Sequence, residues 1–412
     1  MPTAKNSILP ILAAAVLTRD AVCIHRAPFL QDVETSMQLL AALGCPAVRA
    51  GQDLLLSCDG PVGDTVPRSL MAAMRSSIYY LAPMLVRAGR ARLSFPGGCR
   101  LGARPIDIHL EGLTAMGARV TARGDLLECD APHGLHGVRF HLRFPSVGAT
   151  ETLMMAAAAA RGETVLTGAA REPEIRDLAN FLNACGGRVT GAGSSKIVIR
   201  GGRLHGCAYT PIPDRITAQT VLCAGAACGG EILLERVPFE PIRPMARLLT
   251  QAGCRLRRLD HDRVELVSDG RLTALGTLST GVYPAFATDA GPLLAAAMLT
   301  ARGTTRLRET IFTNRFGCAK EFARMGADLD CRGNLLSIRG VPALRGARVE
   351  AGDLRGGAAL VIAALAAQGE SRISGVEYIR RGYEDIGEMF GALGAAIGRS
   401  AQPERETTAA GR

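Results

Sequence analysis

The sequence has no tryptophan, and only 4% of its 412 residues are aromatic. Base stacking needs aromatic platforms set among cations, so a nucleic-acid surface is not expected. No block of five like charges occurs, which also excludes a basic arm or acidic tail. No apolar run reaches the ~18 residues that a membrane crossing needs. The longest are residues 8–17, 153–160, 293–299 and 356–367. Lys5 ahead of residues 8–17 mimics a signal peptide. However, the charge is single, and no convincing small-x-small cleavage site follows the apolar run before Arg19 and Asp20. The twelve cysteines form no C-x-x-C pair, and structural zinc needs ligand pairs at close spacing. Most are expected to be small core residues of a reduced, cytoplasmic protein. The seven histidines (His25, His109, His133, His136, His141, His205, His261) show no metal spacing. Neither metal nor cofactor is expected.

What is present is positive charge and glycine. Lys and Arg number 48 against 38 Asp and Glu, a formal net charge of +10, which points to anionic small-molecule ligands. There are 48 glycines. Three of them, Gly97, Gly98 and Gly102, flank Cys99 in a loop that also carries Arg100 and Arg104. Neighbouring cations favour the thiolate and hence reactivity. Pro105 reads as the first position of a following helix, whose N-terminus is an anion site.

One phrase recurs six times: an apolar helix end closed by glycine, then a short strand. The closing residues are Gly44, Gly117, Gly186, Gly253, Gly326 and Gly394, which are 73, 69, 67, 73 and 68 residues apart. Each is a candidate helix C-terminal cap. About forty residues before each lies an Ala-rich stretch: 8–17, 78–86, 152–160, 217–227, 291–299 and 358–367. These stretches are apolar nearly all round, so buried helices are predicted. Short strands fill the rest, for example 164–166, 196–199, 231–234 and 348–350. The fold class is therefore α/β, built from six repeats of roughly 70 residues, an internal repeat on a long period.

Polar groups stand just ahead of every buried helix: Lys5-Asn6, Arg75, Ser146 to Thr150, Asp214-Arg215, Thr288-Asp289 and Asp353-Leu354-Arg355. Ser, Thr and Asp can be ordinary caps. Lys5, Arg75, Arg215 and Arg355 cannot, because a cation at a helix N-terminus is unfavourable unless an anion joins it.

On these residues the chain resembles the UDP-N-acetylglucosamine 1-carboxyvinyltransferases, from end to end. The motifs that carry the resemblance are Ala4-Lys5-Asn6, Met74-Arg75-Ser76-Ser77, Pro96-Gly97-Gly98-Cys99 and Gly102-Ala103-Arg104-Pro105. They continue through Ser146-Val147-Gly148-Ala149-Thr150, Pro213-Asp214-Arg215, Thr288-Asp289, Glu309-Thr310-Ile311-Phe312, Asp353-Leu354-Arg355 and Arg381-Gly382-Tyr383-Glu384. The resemblance implies a two-domain inside-out α/β barrel with three repeats per domain. Residues 5–213 would form the first domain. Residues 1–4 and 214–412 would form the second, which lacks the family's N-terminal strand and so exposes a sheet edge. It implies enolpyruvyl transfer from phosphoenolpyruvate to the 3′-hydroxyl of UDP-N-acetylglucosamine, with phosphate released. Cys99 is implied as general acid, and Asp289 as a base whose pKa is raised. Lys5, Arg104, Arg355 and Arg381 are implied as the anion clamp, with Asn6 at the reacting centre. Arg75, Arg104, Pro105, Ile106, Asp107, Ile108, Ser146, Val147, Gly148, Ile311 and Asp353 are implied as substrate contacts, and residues 97–102 as a lid.

The second half departs from the family pattern beside these positions. Arg380 stands where Asp is usual, and Ala290-Gly291-Pro292 follows Asp289 where Met and Gln are typical. Gly356-Gly357 replaces Ala-Ser, and Gly317-Cys318 replaces Met-His. Two other readings remain open: a paralogous transferase acting on another sugar nucleotide, and a non-catalytic nucleotide-sugar binder.

Overall fold

The computed structural model describes residues 1–97, 101–102 and 104–398. All six predicted buried helices form. They are Lys5–Ala15, Leu81–Ala88 with the 3-10 turn Arg75–Tyr80 ahead of it, Val147–Ala159, Arg215–Cys228, Gly291–Ala297 and Leu354–Leu365. Alanine suits them because helices this close together leave no room for longer side chains. Three pack together in each half of the chain. One core draws its residues from 8–204, the other from 216–390. Burying these apolar faces is the main stabilising term.

Around each trio lie helices and small sheets. The outer helices Gln31–Ala42, Asp107–Ala115, Pro173–Ala184, Phe239–Gln251, Ala319–Arg324 and Ile386–Gly391 are each followed by one of the six repeat glycines. All six glycines have φ between 79° and 113°, the left-handed cap conformation that disfavours a side chain. In five of the sheets a strand ahead of an inner helix pairs in parallel with a strand that follows one: Arg139–His141 with Glu163–Thr167, Gly276–Ser279 with Thr304–Arg308, Ala208–Tyr209 with Val22–Ile24, Leu344–Arg345 with Ala367–Gln368, and Arg348–Glu350 with Arg372–Ser374. Strand Gly230–Leu234 pairs only with Val264–Ser268 and is the edge of a three-stranded sheet among the described residues. Met1 lies at its end, where the Met1 amine donates to Glu235 O at 2.7 Å.

The chain passes between the halves near residues 4 and 213, where Ala4 N donates to Ile212 O and Asp214 N to Pro2 O, both at 2.8 Å. Two local expectations are corrected. Cys45 and Cys58 are joined as a disulfide, not two separate core thiols. The hairpin pairing Ala47 with Leu56 brings them together, which their spacing of 13 does not reveal. Pro105 does not open the helix, which starts at Asp107 with Ile106 as its cap. The carbonyls of Arg104 and Pro105 accept from the Arg75 guanidinium instead.

Candidate active site

The six inner helices start on one cleft between the two cores, a cavity of about 450 Å³. Lys5, Arg75, Val147, Arg215, Asp289 and Arg355, one from each helix start, all line it. So do Asn6, Arg104, Pro105, Asp107, Ile108, Ser146, Gly148, Ile311, Asp353 and Arg381. Ile106 does not line the cleft; it is 5% exposed and packs in the first core. Cys99 lies outside the described residues.

Caps account for part of the polar set. Ser146 accepts from Ala149 N at 3.3 Å, Asp214 from Ile216 N at 2.7 Å, and Asp353 from Arg355 N and Gly356 N at 3.0 Å each. Gly148 packs against His109, whose Nε2 an added Cβ would meet at 2.9 Å. The cations have partners that sequence reasoning missed. Asp32, only 2% exposed, takes Lys5 Nζ at 2.7 Å and Arg381 Nε at 2.9 Å. It thereby ties the first half of the chain to the second across the cleft. Glu174 holds Arg215 at 2.9 Å. Arg315 donates to Asp289 Oδ1 at 2.8 Å, and Arg355 stands 3.7 Å from its Oδ2. Asp32 and Glu174 sit in the first turns of helices, where carboxylates are ordinary, and so carry no distinguishing mark in the sequence.

Two of the guanidinia retain donors for a ligand. Nη1 of Arg215 and Nη1 of Arg355 are buried with no hydrogen-bond partner among the described residues, an expensive state that an anion's oxygens would relieve. Glu309 organises the loop opposite. Its carboxylate accepts from Thr288 Oγ1 and from the Ile311 and Phe312 amides. Phe312 then lies under the guanidinia of Arg104 and Arg315, 5.4 and 4.8 Å from its centroid. Leu101 also touches this loop, since Asn314 N donates to Leu101 O at 3.3 Å.

The electrostatics correct one expectation. Burial pushes the Asp289 carboxyl up, but Arg355, Arg315, Arg215 and Lys5 outweigh it and hold it well below the usual carboxylate range. The expected raised pKa counted burial and not four cations. Burial lowers the Lys5 ammonium, with Arg381 and Arg355 adding to the effect and Asp32 opposing it. Burial and the Arg75 charge drive His109 down to about 4, so this cleft histidine is neutral near pH 7.

The departures from the family pattern are partly local to one another. A Cβ on Gly356 would meet Asp353 Oδ2 at 2.6 Å and the Cβ of Cys318 at 3.3 Å. Gly356 and Cys318 are therefore one packing change.

The fold and this two-sided anion cleft are those of a carboxyvinyl transferase. Residues 1–390 match the family model for EPSP synthase (3-phosphoshikimate 1-carboxyvinyltransferase), and the chain belongs to that family. Its curated relatives include UDP-N-acetylglucosamine 1-carboxyvinyltransferase 2 of Caldanaerobacter subterraneus. That protein is 43% identical over 397 residues, covering 96% of this chain and 95% of the relative. The UDP-N-acetylglucosamine 1-carboxyvinyltransferase of Nitratidesulfovibrio vulgaris is also 43% identical, covering 96% and 94%. Among solved structures, the enolpyruvyl transferase NikO from Streptomyces tendae superposes with a TM-score of 0.85 at 24% identity, covering 96% of this chain and 94% of that one. At that identity the likeness speaks for the fold alone.

Proposed function

We propose that this chain transfers the enolpyruvyl group of phosphoenolpyruvate to the 3′-hydroxyl of UDP-N-acetylglucosamine, releasing phosphate, as a cytoplasmic enzyme. The observation that carries this reading is the meeting of Lys5, Asp289, Arg355 and Arg381 in one cleft, beside a wall that carries Arg75, Arg104 and Ser146 for a sugar nucleotide. The names of the relatives at 43% identity support the acceptor.

The reaction needs a proton delivered to C3 of phosphoenolpyruvate, which makes C2 electrophilic. The acceptor hydroxyl attacks C2 and loses its proton, giving a tetrahedral ketal. Loss of a proton from C3 and expulsion of phosphate restore the double bond. We assign proton delivery to Cys99 and proton acceptance to Asp289. In the free protein Asp289 is a weak base. Phosphate and carboxylate oxygens on Arg355 and Lys5 compensate cations that depress it, so substrate binding restores its basicity. That makes the base strong only once its substrate is in place. Asn6, at the start of the first helix, faces the same centre. Arg75 and the backbone around residues 104–108, with Ser146, Val147, Gly148 and Ile311, are assigned to the nucleotide sugar.

The test is to incubate the purified protein with both substrates and identify the product by mass spectrometry. An enolpyruvyl ether of UDP-N-acetylglucosamine is expected. Formation of such an ether only on another nucleotide sugar would assign the chain to a paralogous activity.

A further inference from the structure

Away from the cleft, three side chains of different chemistry meet on one sheet face. Side chains alternate along a strand, so Cys23, in strand Val22–Ile24, and His25, just past its end, project to the same side. The antiparallel strand Asp53–Leu56 sets Cys23 opposite Leu55 and Ile24 opposite Leu54. One step further, His25 meets Asp53. Cys23 Sγ lies 3.7 Å from His25 Nδ1, and Asp53 Oδ2 lies 2.8 Å from that same Nδ1. All three donor atoms fall within 4.8 Å of one another.

That one ring nitrogen faces both partners decides between two readings. A nucleophile relay needs the thiol on one imidazole nitrogen and the carboxylate on the other. Here both converge on Nδ1, which is the arrangement of a chelate. Zinc–sulfur bonds of about 2.3 Å and zinc–nitrogen or zinc–oxygen bonds of about 2.0–2.2 Å at tetrahedral angles separate the donors by roughly 3.3–3.6 Å. The sulfur–nitrogen gap already matches. The carboxylate must step back by about half an ångström to fit. Its side chain is 36% exposed and free to do so, while its other oxygen stays on Arg26 N at 3.0 Å.

We propose that Cys23, His25 and Asp53 form a site for a zinc-class divalent cation, with water in the fourth position. A sulfur, nitrogen and oxygen donor set selects this class over magnesium or calcium, and binding displaces the thiol proton to solvent. Sequence spacing hid the site because the third donor comes from a neighbouring strand, 28 residues on.

Co²⁺ is the probe, since thiolate ligation gives it a near-ultraviolet charge-transfer band. Phosphine-reduced full-length protein is titrated with Co²⁺ and then with Zn²⁺. One equivalent should bind with that band, and Zn²⁺ should displace it. The band should vanish in Cys23→Ser, and affinity should fall by about tenfold or more in His25→Ala and Asp53→Asn, at least the size of a lost outer-shell contact. Cys331→Ser, which removes another exposed thiol, should change nothing. A band that survives Cys23→Ser, or no saturable band in the wild type, overturns the proposal. If Cys23→Ser fails to fold, unchanged affinity in His25→Ala overturns it equally.

Discussion

On the cleft wall formed by residues 75–148, charge is mostly spent or suppressed. Arg75 donates to the carbonyls of Pro96, Arg104 and Pro105. His109 is held neutral, and Ser146 caps a helix. On the facing wall, residues 215–381 present Arg215, Arg315, Arg355 and Arg381, each against a carboxylate: the buried Glu174 and Asp32, or the partly exposed Asp289. The same repeated unit built both walls. The difference lies in what engages the cations: backbone carbonyls hold Arg75 on one side, and carboxylates face the guanidinia on the other. The first, with Arg75 and Arg104, suits a nucleotide sugar with its diphosphate, and the second the phosphate and carboxylate of the smaller substrate. The paired acids keep buried cations ionised without an occupant, and an anionic substrate then competes for donors that already point inward.

The contrast between the walls is open to direct tests. Asp289→Asn and Cys99→Ser should each lower kcat by about 10²- to 10⁴-fold, the usual range for a lost general acid or base. Alkylation of Cys99 by the epoxide fosfomycin, read by intact mass, should give the same loss. An Asp289→Asn protein with near-normal kcat would remove the base assignment. Next, Asp32→Asn should raise the KM for phosphoenolpyruvate far more than that for the nucleotide sugar. It leaves Lys5 and Arg381 without their carboxylate, a loss worth about 3–5 kcal/mol for a buried pair. Equal rises in both KM values would erase the distinction between the walls. Third, His109 should make the protein less stable as pH falls. Its folded pKa of about 4 lies below the unfolded value of about 6.5, so between those pH values the unfolded chain binds the extra proton. The loss should approach 3 kcal/mol by pH 4 on the order of 1.4 kcal/mol per pH unit, and His109→Gln, followed by denaturant unfolding, should flatten that slope. The smallest effect is expected at the exposed Arg339–Asp328 pair. Arg339→Ala should cost less than about 1 kcal/mol and leave both KM values unchanged.

Much of this was legible in the residues. The six glycines marked the helix ends because only a left-handed cap explains glycine at that recurring place, and alanine-rich stretches without a polar face marked the inner helices. The cations at the helix starts announced a missing negative charge. What they did not announce was that part of that charge belongs to the chain itself. Asp32 and Glu174 look like ordinary first-turn acids, and their partners, Arg381 and Arg215, lie 349 and 41 residues away. Asp289 was misread for the same reason: its burial follows from local sequence, whereas the four cations around it come from separate repeats. The Cys45–Cys58 disulfide and the Cys23–His25–Asp53 cluster likewise depend on strand register, which no spacing rule encodes.

The most direct measurement is phosphate release from phosphoenolpyruvate by the folded, purified chain, with and without UDP-N-acetylglucosamine. The account predicts steady release only when both are present. Release at background in the presence of both, from a sample whose circular dichroism shows it folded, would contradict it.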